Sequence, residues 1–317
     1  MLEGMNQALT NIPSIRNNHP TFWHDLNNGT YLKLAPRIAV HRDHYRSLPL
    51  PAQLRLRAIA AARSAYTAVL ISKSAARVHG LWVLASTEEK VEMALPCNSL
   101  PHKDRRHPDR IYRKATIPAP DTVDGARTVS KARAVIDVAR YHGFRDGLVA
   151  ADSALRAGIT KEDMTQEHAR MGRVRNSSTV REVIHHCSEL SRSPYESYAR
   201  ALLIQAEFPW PLFFQARYTA VAGIVVALCI NNTYIIEVDA CSCEQSSHIT
   251  DTEFSTPATA AHHLRENRLR AAGYTVLRYC PHRLVEHPQR FLSAVTSVIS
   301  ARQNSLRSQR NRNNAAT

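Results

Sequence analysis

Glu237 and Asp239 close a short β-rich run, Thr233–Asp239, with one residue between them. Alternation along a strand puts both carboxylates on one face. Two acids on one strand edge supply the oxygen donors that a hard divalent cation takes, and a third acid from the preceding strand normally completes a hydrolytic site. Here that preceding run, Gly223–Ile230, carries Val225-Val226-Ala227 and no acid. Glu196 is a further candidate, as a carboxylate that positions a metal or an attacking water. It also stands three residues after Ser193, with Pro194 at the first helical position, which is the pattern of a capping box. Glu237 and Asp239 are therefore candidate Mg²⁺ ligands with one partner missing. Asp251, Glu253 and Glu244, in the long segment after the acidic strand, are the acids that could fill the gap at Val226.

The elements around these residues read in a definite order. Ser193-Pro194-Tyr195-Glu196 opens an amphipathic helix, and Leu212–Ala220, Gly223–Ile230 and Thr233–Asp239 are three strands. Pro257–Ala272 is a basic helix closed by Gly273, and Tyr274–Tyr279 is a last strand. Arg265, Arg268 and Arg270 crowd that helix, as a solvated face or as phosphate contacts.

Ser193–Ile299 resembles the Vsr-like (very-short-patch-repair) branch of the PD-(D/E)XK nuclease superfamily. The likeness rests on Ser193-Pro194-Tyr195-Glu196-Ser197-Tyr198-Ala199-Arg200, on Glu237-Val238-Asp239, and on Arg265-Glu266-Asn267-Arg268-Leu269 followed by Gly273-Tyr274-Thr275-Val276-Leu277-Arg278. It implies an αβββαβ restriction-endonuclease-like domain. It also implies Glu196 as the helix acid, Glu237 and Asp239 as strand acids, and Val226 where that family has its strand-two aspartate. Ala240 stands at the family's glycine and Glu266 at its helix aspartate.

Upstream, Ala68–Leu81 (AVLISKSAARVHGL), Thr128–Ala139 and Gly147–Arg156 resemble the AbiEi-type antitoxin family. Physically, Ser130 caps a helix whose apolar face is Ala134, Val135, Val138 and Ala139, and a second helix presents Leu148, Val149, Ala151 and Leu155. The family opens with a winged-helix unit, which implies Lys33 and Arg37 as nucleic-acid contacts. Gly29–Val40 aligns with its wing, with Ile38 at the wing glycine and Val40 at the tyrosine.

The chain has 41 Lys and Arg against 27 Asp and Glu, a formal net charge of +14, which favours polyanions through counterion release. The charge clusters: Arg105 and Arg106 lie in a basic loop at His102–His107, and Arg302–Arg312 holds four arginines and no acid. Trp23, Trp82 and Trp210 lie outside these clusters, so single-strand stacking platforms are not indicated. The cysteines are scattered, and Cys241, Cys243, His248 and His262-His263 match no compact zinc pattern. The start MLEGMNQALT has no basic-then-apolar signal, and the longest apolar run, Ala220–Ile230, is too short to span a bilayer. The expectation is a cytoplasmic protein with no membrane partner.

The expected fold class is α+β: a mixed α/β antitoxin-like module followed by the αβββαβ domain. The expected parts are a divergent winged-helix-like unit at 1–46, an α/β module at 52–171, the nuclease-fold domain at 178–301, and a disordered basic tail at 302–317. The expected function is DNA-binding and antitoxin-like or regulatory, with a degenerate nuclease domain, DNA and a cognate toxin as partners, and no small-molecule cofactor. The alternatives are a Mg²⁺-dependent endodeoxyribonuclease with a relocated ligand and a purely protein-binding antitoxin.

Overall fold

A computed structural model describes residues 8–15, 20–103, 106–207, 212–218, 224–238 and 257–314. Among them are eleven helices and three open sheets, a mixed α+β architecture. The chain divides into two compact units, Met1–Ser188 and Glu189–Thr317.

The first unit begins with a three-stranded antiparallel sheet of β1 (Leu9–Asn11), β2 (Tyr31–Ala35) and β3 (Ile38–His41), ordered β1-β3-β2. The helix Pro20–Asn27 lies between β1 and β2 in the chain, and Gly29 follows it at φ 82°, a conformation that glycine adopts at no steric cost. The helix Leu50–Ser64 buries Leu54, Leu56, Ile59 and a run of alanines, because it packs on β2 and β3 and also on strands of the next sheet. The segments 1–46 and 52–171 therefore fall in one compact unit. That second sheet holds β4 (Val69–Leu70), β5 (Val91–Leu95), β6 (Arg110–Lys114), β7 (Asp121–Val123) and β8 (Ala126–Thr128) in the order β6-β5-β4-β8-β7.

Ser130 Oγ accepts from the Arg133 amide at 3.2 Å and starts the helix Lys131–Arg156. Its backbone breaks at Gly143 (φ 85°, ψ −173°), so the two apolar stretches belong to successive helical segments. Ala134, Val135, Val138, Ala139, Leu148, Val149 and Ala151 are buried there, while Leu155 is half-buried. The helices Lys161–Arg170, held by a Thr160/Asp163 capping box, and Ser177–His186 complete the unit.

The second unit runs as the helix Pro194–Gln205, then β9 (Leu212–Tyr218), β10 (Ile224–Ile230) and β11 (Tyr234–Val238). The helix Pro257–Ala271 and β12 (Thr275–Tyr279) follow. β9, β10 and β11 pair antiparallel, β12 pairs parallel to β11, and the sheet order is β12-β11-β10-β9. A parallel pair requires a crossover, which contains the Pro257–Ala271 helix. That helix ends in a Schellman arrangement. The Tyr274 amide donates to Leu269 O at 3.1 Å and the Gly273 amide to Arg270 O at 2.9 Å, with Gly273 at φ 89°. The helices Pro281–Glu286 and Pro288–Asn314 close the chain. The segment 302–314, expected to lie in a disordered tail, continues the last helix, and no Pro or Gly interrupts it. No helix among the described residues is long and apolar enough to cross a membrane.

Candidate functional site

The parallel register of β11 and β12 sets Glu237 opposite Arg278 and Ile235 opposite Val276. Alternation puts Ile235 and Glu237 on one face of β11. Val226, Cys229, Ile235, Leu269 and Val276 belong to one buried cluster, with Tyr274 packed against it. The β10–β11 register places Cys229, not Val226, on the face that carries Ile235 and Glu237. Val226 is wholly buried in this apolar cluster.

Glu237 is 4% exposed. Arg265, from the helix Pro257–Ala271, brings Nη2 to 3.0 Å from Glu237 Oε1. Arg278, the register partner on β12, brings Nε to 3.5 Å from Oε2. Arg278 Nη2 also lies 3.4 Å from Glu266 Oε2, and Arg270 Nη2 lies 2.5 Å from Glu266 Oε1. Arg265, Glu237, Arg278, Glu266 and Arg270 thus form a linear network of three cations and two carboxylates. The two contacts to Glu237 are close in distance but poorly aligned. Among the described residues neither of its oxygens accepts a hydrogen bond of good geometry, so the attraction is Coulombic rather than a fork-to-fork pair.

Such an arrangement is a poor divalent-cation site. A cation such as Mg²⁺ needs a converging set of oxygen donors. Glu237 is a buried carboxylate already bracketed by two guanidiniums, and the described residues contain no group of three His, Cys, Asp or Glu able to hold a metal. Asp239, Glu244, Asp251 and Glu253 lie outside the described residues, as do Cys241, Cys243 and His248.

Glu196 has a structural task. Ser193 Oγ accepts from the Glu196 amide at 3.1 Å, and Glu196 Oε2 accepts from the Arg192 amide at 2.8 Å. This is a capping box displaced by one residue, in which the carboxylate ties down the chain entering the helix.

The remaining expected contacts are dispersed. Arg268 is exposed on its helix, whereas Arg265, one turn earlier, turns to Glu237. Lys33 is exposed on β2, and Arg37 lies in the β2–β3 turn with its guanidinium 5.7 Å from the ring centre of exposed Tyr66. Arg106 is exposed and donates from Nε to Pro101 O at 3.0 Å, and Arg105 lies outside the described residues.

Glu92 is a residue that reading the sequence did not single out. It is 2% exposed on β5. Its Oε2 accepts from the Lys73 amide at 3.1 Å and pairs with His142 Nε2 at 2.9 Å, while Oε1 accepts from Arg113 Nε and Nη2 at 3.2 and 3.0 Å. Arg113 stacks over the Tyr141 ring at 4.1 Å. Burial pushes the Glu92 carboxyl up, but the hydrogen bond and charge of His142 and the charge of Arg113 outweigh it and hold the group below the usual range. Glu92 fastens the helix Ser72–Val78, β6 and the helix Lys131–Arg156 to the sheet. The only signal in the sequence was an acid amid the apolar residues of Val91–Leu95.

Comparison with models of protein families, with curated proteins and with solved structures finds no match to this chain.

Proposed function

We propose that this chain is a DNA-binding, antitoxin-like or regulatory protein whose C-terminal unit is a retired nuclease fold. The resemblance to AbiEi-type antitoxins and to the Vsr-like branch supplies the class, and the αβββαβ element order of the second unit agrees with it. One observation carries the non-catalytic reading. Glu237, the described strand acid, is bracketed by Arg265 and Arg278, and the resemblance aligns Val226, a buried apolar residue, with the family's second acid. Two guanidiniums beside a carboxylate supply the positive charge that a metal would otherwise bring. Binding to a nucleic acid needs no metal, and the net charge of +14 gives a sequence-independent attraction to phosphate.

The competing reading is a divalent-metal endodeoxyribonuclease with a relocated ligand. The feature that favours it is Glu237 itself, whose buried oxygens accept no well-aligned hydrogen bond among the described residues. One experiment separates the two. Mn²⁺ is titrated calorimetrically into the full chain, and the same sample is assayed on supercoiled and mismatched duplex DNA with Mg²⁺ or Mn²⁺ beside Glu237→Ala. The expected result is no metal heat and no nicking, with duplex DNA retarded at low salt and released as salt rises. Nicking that disappears in Glu237→Ala would establish the nuclease. Loss of DNA retention at every salt concentration would leave a protein-binding antitoxin.

A further inference from the structure

The helices Lys161–Arg170 and Ser177–His186 flank an open groove of about 440 Å³ lined by Thr165, His168, Ser177, Arg181, Ile184 and His185, among others. On its wall Ser177 Oγ lies 2.9 Å from His168 Nε2, and Arg181 Nη1 lies 3.2 Å from the same Oγ. The directions of these bonds follow from chemistry. A guanidinium only donates, so Ser177 Oγ accepts from Arg181 and its own proton is left for His168 Nε2. His168 can accept it only as the neutral Nδ1–H tautomer. Burial pushes the His168 imidazolium pKa down, and the charges of Arg181 and Arg140 push it the same way, so the neutral ring is the resident form near pH 7. Ser177 is also the first residue of its helix. The N-cap, Asn176, sits at φ 58° and turns its side-chain amide to Arg140 O at 2.7 Å, so its side chain does not cap the helix start. The positive end of the helix dipole therefore lies beside the hydroxyl.

A serine whose proton points at a neutral histidine, beside a cation and an open groove of ligand size, is the arrangement of an activated nucleophile. We propose that Ser177 and His168 form a catalytic dyad for acyl transfer from small esters, with Arg181 selecting those that carry an anionic group near the carbonyl. Ser177 Oγ attacks the ester carbonyl carbon as its proton passes to His168 Nε2. The bond from carbon to the leaving oxygen breaks, and His168 returns the proton to the departing alkoxide. Water then attacks the acyl-Ser177 ester, giving its proton to His168. The carboxylic acid leaves as Ser177 Oγ regains that proton. No oxidant or further co-reactant is needed.

The test uses the full chain with p-nitrophenyl acetate, p-nitrophenyl hemisuccinate and a fluorophosphonate probe. We expect p-nitrophenolate release and fluorophosphonate labelling mapped by peptide mass spectrometry to Ser177. Both should fall by about 10²-fold or more in Ser177→Ala and in His168→Gln. Arg181→Gln should raise KM for the hemisuccinate more than for the acetate. Labelling spread over other serines, or unchanged in His168→Gln, would overturn the dyad. Should Ser177→Ala fail to fold, Ser177→Cys serves in its place. Its thiol should be alkylated by iodoacetamide faster than that of Ser178→Cys, and faster with His168 than with His168→Gln. Equal rates would overturn the proposal.

Discussion

Arg265 Nη2 and Arg278 Nε approach opposite oxygens of Glu237, at 3.0 and 3.5 Å, one from the crossover helix and one from the neighbouring parallel strand. The carboxylate is nearly out of water, while the two arginine side chains keep 36% and 32% of their exposure. Part of their charge is therefore screened, and the network acts as a partly wet clasp between β11, β12 and the helix. Glu237→Ala leaves two cations facing one another and removes the clasp. We expect a loss of about 1–2 kcal/mol, smaller than for a fully buried pair because water reaches both guanidiniums. Glu237→Gln, which keeps the shape, should lose less. The urea midpoint reads the effect, and a midpoint unmoved by either change would show that the clasp contributes nothing to stability.

The linear order of this unit was legible because each element announces itself locally. Ser193-Pro194 opens the first helix, Gly273 closes the crossover helix, and three β-rich runs stand between. The clasp was not legible. Glu237 meets Arg278 only through the β11–β12 register, across a crossover whose geometry no local pattern encodes. Arg265 illustrates the same limit. Its charge is plain in the sequence, but whether it faces solvent, phosphate or Glu237 depends on where the helix sits on the sheet. Ser177 and His168 form no recognisable motif either, since their meeting depends on how two short helices pack.

Val226→Asp tests whether the second unit retains the outline of a metal site. An aspartate placed among Cys229, Ile235, Leu269 and Val276 buries an ionised group without a partner, and we expect the variant to be destabilised by several kcal/mol in the presence of a chelator. The β10–β11 register puts residue 226 on the face of the sheet away from Glu237. We therefore expect Mn²⁺ to rescue neither this variant nor the parent chain, and selective rescue of the variant would reveal a latent ligand set. Thermal unfolding with and without Mn²⁺ decides the matter. An equal response of the two proteins would argue against any latent ligand geometry at Val226.

Gly147 packs against Ala139, on the other segment of the Lys131–Arg156 helix. A methyl group there would lie 2.8 Å from Ala139 Cα and Cβ and 2.9 Å from Val183 Cγ2. Elsewhere in a helix, replacing glycine with alanine gains up to about 1 kcal/mol of propensity. Here the contacts are to backbone and packed side chains that cannot swing away, and overpacking of this kind costs about 1–3 kcal/mol. We expect Gly147→Ala to be net destabilising in urea unfolding. A stabilised variant would mean that the helices Lys131–Arg156 and Ser177–His186 separate at little cost.

Glu92 should set the acid limit of the first unit. In the unfolded chain a glutamate titrates near ~4.3, and in the fold His142 and Arg113 hold Glu92 below that value against the opposing effect of burial. A carboxylate with a depressed native pKa contributes stability that is fully present above the unfolded value and disappears as pH falls through the native one. The parent chain should therefore lose stability steeply from about pH 4.5 downward, and Glu92→Gln should flatten that slope because it has no proton to take up. At neutral pH the same substitution exchanges a carboxylate for an amide that cannot match the donors of Arg113, His142 and the Lys73 amide together. Glu92 keeps only 3% of its side-chain exposure, so screening is slight and we expect a cost of about 2–4 kcal/mol. Urea midpoints for both proteins, measured at intervals from neutral pH down to about pH 3, test both statements at once. Parallel curves for the two proteins would show that the acid sensitivity comes from other carboxylates.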